Sequence, residues 1–172
     1  MELVDSLAQV SDLEGACRVL MRSPALGRPF HACSILMAND RAELSEIARS
    51  NVPGQPADFQ GIRLWKETAL SAHMVEGQPA LVSREDFEAL HPDIRFDWET
   101  SSFESVWLFP VPERGVPFGL VLLFSDERVE PVDLTESQRE LLVTALKMPL
   151  RSQQWRQSLA VGGHSDDRAR AS

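Results

Sequence analysis

The sequence predicts an α+β domain layered like an α/β sandwich, with a central sheet, helices packed on one face, and loops plus a short helix on the other. Three observations predict it. The runs Val106–Val111 and Phe118–Phe124 are apolar in both of their alternating sets. Trp107 and Phe109 point one way and Val106 and Leu108 the other; past the turn, Phe118, Leu120, Leu122 and Phe124 oppose Gly119, Val121 and Leu123. A sheet wetted on one face alternates apolar with polar residues, so this one must be covered on both. The second observation is the order of hydrophobic periods: helix, two strands, helix, short strand, two long strands, helix. The third is size, since 172 residues with 43% hydrophobic content suffice for one substantial core.

The elements follow in order. Ser11-Asp12-Leu13-Glu14 places a capping residue three positions before a glutamate. It starts a helix to about Arg22, with Leu13, Ala16, Cys17 and Leu20 on its apolar side. Leu3, Leu7 and Val10 mark an earlier helical segment, and SPALGRP breaks the pattern. Residues 31–39, HACSILMAN, form a strand; Asn39-Asp40-Arg41 is a turn, and a shorter strand spans 43–50. NVPGQPADFQG is a loop, its prolines and glycines leaving little regular hydrogen bonding. Trp65–Val75 returns to helical spacing, Gly77 ends that helix in a left-handed conformation, and ALVS is a short strand. Residues 84–102 are polar, aromatic and irregular. The two long strands meet at a Glu113-Arg114-Gly115 turn as an antiparallel hairpin. Thr135 and Gln138 cap a last helix with Leu141, Leu142, Ala145, Leu146 and Met148 on its buried side. Pro149 is expected to kink or interrupt it, with Trp155 and Leu159 continuing the apolar spacing. The domain is placed at 1–158, and 159–172 is expected to be a flexible tail or a linker.

The formal charge of -9 argues against nucleic-acid binding by this segment, which would need a cationic surface. No apolar run approaches membrane-spanning length and the first residues are acidic, so a cytoplasmic location without membrane contact is expected. Cys17 and Cys33 have no ligand spacing and are expected to be two buried thiols.

Few residues carry chemistry. His73 lies inside the middle helix, where an imidazole can face a concavity above the sheet or simply favour the helix end. One histidine does not make a metal site, and His31, His91 and His164 add no spacing to it. Arg84, Glu85 and Asp86 offer polar groups beside Phe87 and Trp98, either as a lid or as a solvated loop. Trp107 and Trp65 can line a cavity or serve as ordinary core. Asp93, Asp97, Glu99 and Glu104 suit a solvated surface better than acid–base chemistry, which needs two carboxyls with separated pKa values facing one substrate. Ser105 has no nucleophile-elbow setting and Cys17 no base partner, so no enzyme is indicated.

Lys66–Ser83, KETALSAHMVEGQPALVS, resembles the helix, glycine step, proline and short strand of GAF domains, small-molecule sensory modules of bacterial regulators. Ser105–Leu146 is similar to their apolar strand, Pro-Val-Pro or Pro-Leu, tight turn, Gly-Val-Leu strand, acidic loop and closing helix. With HACSILMAN as first strand, the likeness spans most of residues 11–158. It implies a GAF/PAS-like antiparallel sheet of five or six strands, often a homodimer through terminal helices, and signalling to an attached output domain such as a transcription regulator. The chain lacks the Asn-Lys motif of cyclic-nucleotide binders and has no cysteine after Cys33 for a covalent bilin, so neither ligand is expected, nor a metal. Trp65, His73, Trp98 and Trp107 are the expected ligand-binding residues, for a small apolar or weakly polar molecule. The alternative is a ligand-free homodimerisation scaffold. In either case Trp155 and Leu159 are expected to meet Leu3, Leu7 and Val10, within one chain or across a twofold axis.

Overall fold

The computed structural model of the chain describes residues 2–10, 12–26, 30–39, 44–50, 70–90, 103–128 and 133–162. Two separate helices open it, α1 (Glu2–Ala8) and α2 (Leu13–Arg22). The cap of α2 is Asp12, one residue later than expected: its Oδ1 accepts from the Gly15 amide at 2.6 Å, while Glu14 reaches Arg18 instead. A 3-10 turn, Pro24–Leu26, leads to β1 (Ala32–Ala38) and β2 (Leu44–Ser50). Then come α3 (Leu70–Glu76), β3 (Ala80–Ser83), α4 (Arg84–Leu90), β4 (Ser105–Glu113), β5 (Val116–Ser125) and α5 (Glu136–Gly162). The strands form one antiparallel sheet in the order β2-β1-β5-β4-β3.

The central hairpin forms as its pattern dictates, with Leu108 opposite Leu122 and Trp107 opposite Leu123. Arg114 and Gly115 make the turn with φ of 52° and 77°, the two positive values that match a hairpin's twist. Both faces are buried. Trp107, Phe109, Val111, Val121 and Leu123 meet α1, α2 and α5, whereas Val106, Leu108, Leu120, Leu122 and Phe124 meet Met74 of α3 and Phe87 of α4. Phe118 departs from its expected face. Val111 pairs with Gly119 and Pro112 with Pro117, so Phe118 is the extra residue of a bulge and turns toward the helical side.

Three further expectations are corrected. Residues 84–90 are helical, because Ser83 Oγ accepts from the Asp86 amide at 3.1 Å and donates to its carboxylate at 2.7 Å, a capping arrangement that lets Phe87 bury itself. Helix α5 passes through Pro149 without ending, the buried Leu146 and Leu150 anchoring it on both sides of the missing amide. Its start is capped as expected, Gln138 and Thr135 exchanging hydrogen bonds. Its buried stripe, however, is Leu142, Val143, Leu146 and Leu150, while Leu141 and Met148 are 50% and 75% exposed. Leu3 and Leu7 pack into the core of their own chain. Gly77 has φ 64°, as a helix-ending glycine should. Residues 51–69, 91–102 and those beyond 162 lie outside the described residues, and with them the expected NVPGQPADFQG loop, the start of the middle helix at Trp65 and most of the expected tail.

Candidate functional site

The face of the sheet turned away from α1, α2 and α5 is apolar except at one edge. Along β1, Ala32 and Leu36 point to this face, and Ser34 between them must do the same. Its cross-strand partner is Arg49, and Glu46 lies opposite Leu36. A second bulge, at Ile35 and Leu36, sends both Ile47 and Ala48 to the helical side and keeps Glu46 and Arg49 on this one. The three polar side chains meet. Glu46 Oε1 accepts from Ser34 Oγ at 2.5 Å, and Oε2 accepts from Arg49 Nε at 2.9 Å and Nη2 at 2.5 Å. The Glu46 side chain is 1% exposed and that of Arg49 11%. Ser34 is fully buried. An ionised pair so enclosed needs this full set of hydrogen bonds to offset its desolvation.

Arg49 also borders a crevice of about 310 Å³ between the start of α2, β2 and the second half of α5, where Pro149, Ser152 and Arg156 line it. Toward β4 the same face is closed by side chains: Met74 and Phe87 cover Leu108 and Leu122, and Phe87, Phe103 and Phe124 meet edge to face at 5.5–6.4 Å. Arg84 lies over the Phe103 ring at 5.0 Å.

Of the four residues expected to bind a ligand, Trp65 and Trp98 lie outside the described residues. His73 is half-buried on α3, above the face just described. Trp107 is on the opposite face, in the core under the helices, stacked on Phe30 at 6.3 Å and tilted against Phe109 at 5.1 Å. The sheet therefore separates Trp107 from His73, because residue 107 falls in the other alternating set from Val106 and Leu108. Glu85 and Asp86 are exposed on α4. Ser34, Glu46 and Arg49 were missed. Ser34 alone carried a signal, a single polar residue inside a strand buried on both faces, whereas Glu46 and Arg49 lie on the half-buried edge strand, where polar residues are ordinary.

Cys17 and Cys33 are both free and buried, side by side between α2 and β1. Burial pushes the Cys33 thiol up, with hydrogen bonding and charge from Cys17 and the charge of Glu46 acting in the same direction. Neither cysteine presents its sulfur to solvent. Among the described residues no three His, Cys, Asp or Glu side chains gather where they could hold a metal, and no helix is long and apolar enough to cross a membrane.

No family model matches the sequence, and no curated protein does. The structure is similar to the GAF domain of a phosphoenolpyruvate-protein phosphotransferase from Coxiella burnetii, at 15% identity and TM-score 0.61 over 92% of this chain and 93% of that one. It is also similar to free methionine-R-sulfoxide reductase from Neisseria meningitidis, solved with its substrate (15% identity, TM-score 0.54, 88% and 87% covered). A third similar structure is a far-red-absorbing dark state with bound biliverdin IXa, at 14% identity and TM-score 0.51 over 86% and 97%. The chain has the GAF fold, an α+β architecture on which a domain of a phosphotransferase, a reductase and a bilin-binding protein have all been built.

Proposed function

We propose that this chain is a non-catalytic sensory or regulatory domain. In this reading a small apolar or weakly polar molecule binds against the Ser34–Glu46–Arg49 edge of the sheet, and its presence is passed through the terminal helices to an output domain such as a transcription regulator. The observation that carries the reading is the buried polar cluster on an otherwise apolar face. Stability alone does not account for it, since replacing a buried ion pair by well-packed apolar residues is often neutral or stabilising. A ligand gives the cluster a use, because pockets are mostly apolar with a few placed polar groups. The relay is short. Ser34 and Ile35 are adjacent on β1 and face opposite sides, so a shift at the cluster is felt under α2, and Arg49 borders the α5 crevice directly. The reductase among the similar structures keeps catalysis open for the fold. In this chain both thiols are buried, which supports the non-catalytic reading.

The packed aromatic end of the face favours a second reading, a ligand-free scaffold. The two are separated by extracting small molecules from protein purified without denaturation and adding the extract back to stripped protein. A sensor gains about 2.7 kcal/mol when ligand stands at a hundred times its Kd. An unchanged melting temperature at every extract concentration supports the scaffold.

A further inference from the structure

Helices α3 and α5 lie on opposite faces of the sheet, yet a side chain joins them. Met74 of α3 covers the face that carries the Ser34–Glu46–Arg49 cluster, whereas Leu142 and Leu146 of α5 pack on the other. Arg139 Nη1 donates to the Gly77 carbonyl at 3.1 Å. Gly77 is the buried residue that ends α3. Its amide donates to the His73 carbonyl at 3.1 Å, and its φ of 64° turns the chain toward β3. Arg139 stands in the first turns of α5, where its amide donates to the Thr135 carbonyl. Its side chain is only 19% exposed, and Nη2 pairs with the exposed Glu136. One end of the guanidinium is thus braced on its own helix while another nitrogen reaches α3.

We propose that Arg139 is a positioning residue that couples α3 to α5, so that the first turns of α5 follow where α3 sits over the apolar face. Helix α3 is the movable member. Seven residues are too few to hold a helix without packing, and α3 is seated by Met74 while Ala72 and Val75 are exposed. Helix α5 is fixed further along by the buried Leu146 and Leu150 and by Arg151 Nε, which donates to Glu113 beside the hairpin turn at 2.7 Å. A molecule entering beneath Met74 displaces α3, and Gly77 moves with the helix it ends. A hydrogen bond from a charged donor is about twice as strong as a neutral one, yet a shift of roughly 0.5 Å already takes this one out of range. The bond is therefore made in one position of α3 and lost in another. That difference is what coupling between two elements requires. The entry of a molecule there rests on the proposed sensory reading, whereas the coupling itself does not.

The test uses no ligand, so its failure is distinct from a failure of the sensory reading. Amide hydrogen exchange is followed by NMR on the full chain as wild type, Ala72→Gly, Arg139→Met and the double variant. Ala72 is exposed in the middle of α3, so glycine there loosens this helix about fivefold without removing a core contact. Amides 140–146 of α5 are read relative to those of Ile35 and Val121, paired at the centre of the sheet, which cancels changes in global stability. Ala72→Gly should speed relative exchange at 140–146 by about threefold or more in the wild-type background, and Arg139→Met should do so by itself. With Arg139 already replaced, Ala72→Gly should add little. Equal acceleration by Ala72→Gly with and without Arg139, or α5 protection indifferent to both changes, would overturn the proposal.

Discussion

Truncating Glu46 to alanine tests the polar cluster at its centre. The substitution removes both oxygens that hold Arg49 and Ser34, while Arg49 stays in a site only 11% exposed. A buried charge that loses its carboxylate costs about 3–5 kcal/mol. The Ser34 hydroxyl, fully buried, loses its acceptor, a deficit of about 1–3 kcal/mol if nothing replaces it. The two losses overlap, so about 3–5 kcal/mol is expected in all, read from the midpoint of a urea titration at constant m-value. Glu46→Gln keeps the shape and one acceptor and should cost less. The decisive partner is the double variant Glu46→Ala with Arg49→Met, which removes both charges and should recover much of the loss, because the penalty lies in a buried cation that has lost its carboxylate. A single-variant cost below about 1 kcal/mol, or a double variant as unstable as the sum of the singles, would refute an enclosed ion pair on this face.

Three further outcomes follow from the same packing. Leu122→Ala, at a fully buried position opposite Leu108 and Ser34, should cost about 2–5 kcal/mol in denaturant titration. Gly15→Ala would place a Cβ 2.3 Å from Val10 Cγ1, so the variant should lose about 1–3 kcal/mol by thermal melting where an unhindered helix would gain from the change. Cys33 is held protonated by the fold, so above the unfolded thiol's pKa of about 8.5 the unfolded chain binds fewer protons than the native one. Stability should be flat below that pH and then fall by up to about 1.4 kcal/mol per pH unit, and Cys33→Ala should remove that component of the slope.

Much of this fold is legible in the sequence because burial on both faces leaves an unmistakable pattern. Val106–Val111 and Phe118–Phe124 have no polar set, and Glu113-Arg114-Gly115 joins them. The faces of individual residues are less legible. Phe118 crossed to the helical side because a bulge inserts a residue that no alternation reveals. Leu141 and Met148 looked buried because they are apolar at helical spacing, yet the sheet accepts only the stripe of Leu142, Leu146 and Leu150. Helix α4 was readable in the Ser83–Asp86 spacing and was obscured by the polar residues around it. The candidate site was harder still. Tryptophans draw attention by size, but Trp107 is core, whereas Ser34, Glu46 and Arg49 owe their interest to pairing across a bulge between two strands. Register is a tertiary property, and a lone serine in a strand does not declare its partner.

Native mass spectrometry of wild type and Glu46→Gln, both purified without denaturation, tests the sensory reading most directly. The wild type should carry an excess mass of a few hundred daltons or less that denaturation releases, and Glu46→Gln, folded by circular dichroism, should carry less of it or none. Wild-type protein at its bare chain mass, or equal occupancy in the two proteins, would contradict binding at the Ser34–Glu46–Arg49 edge.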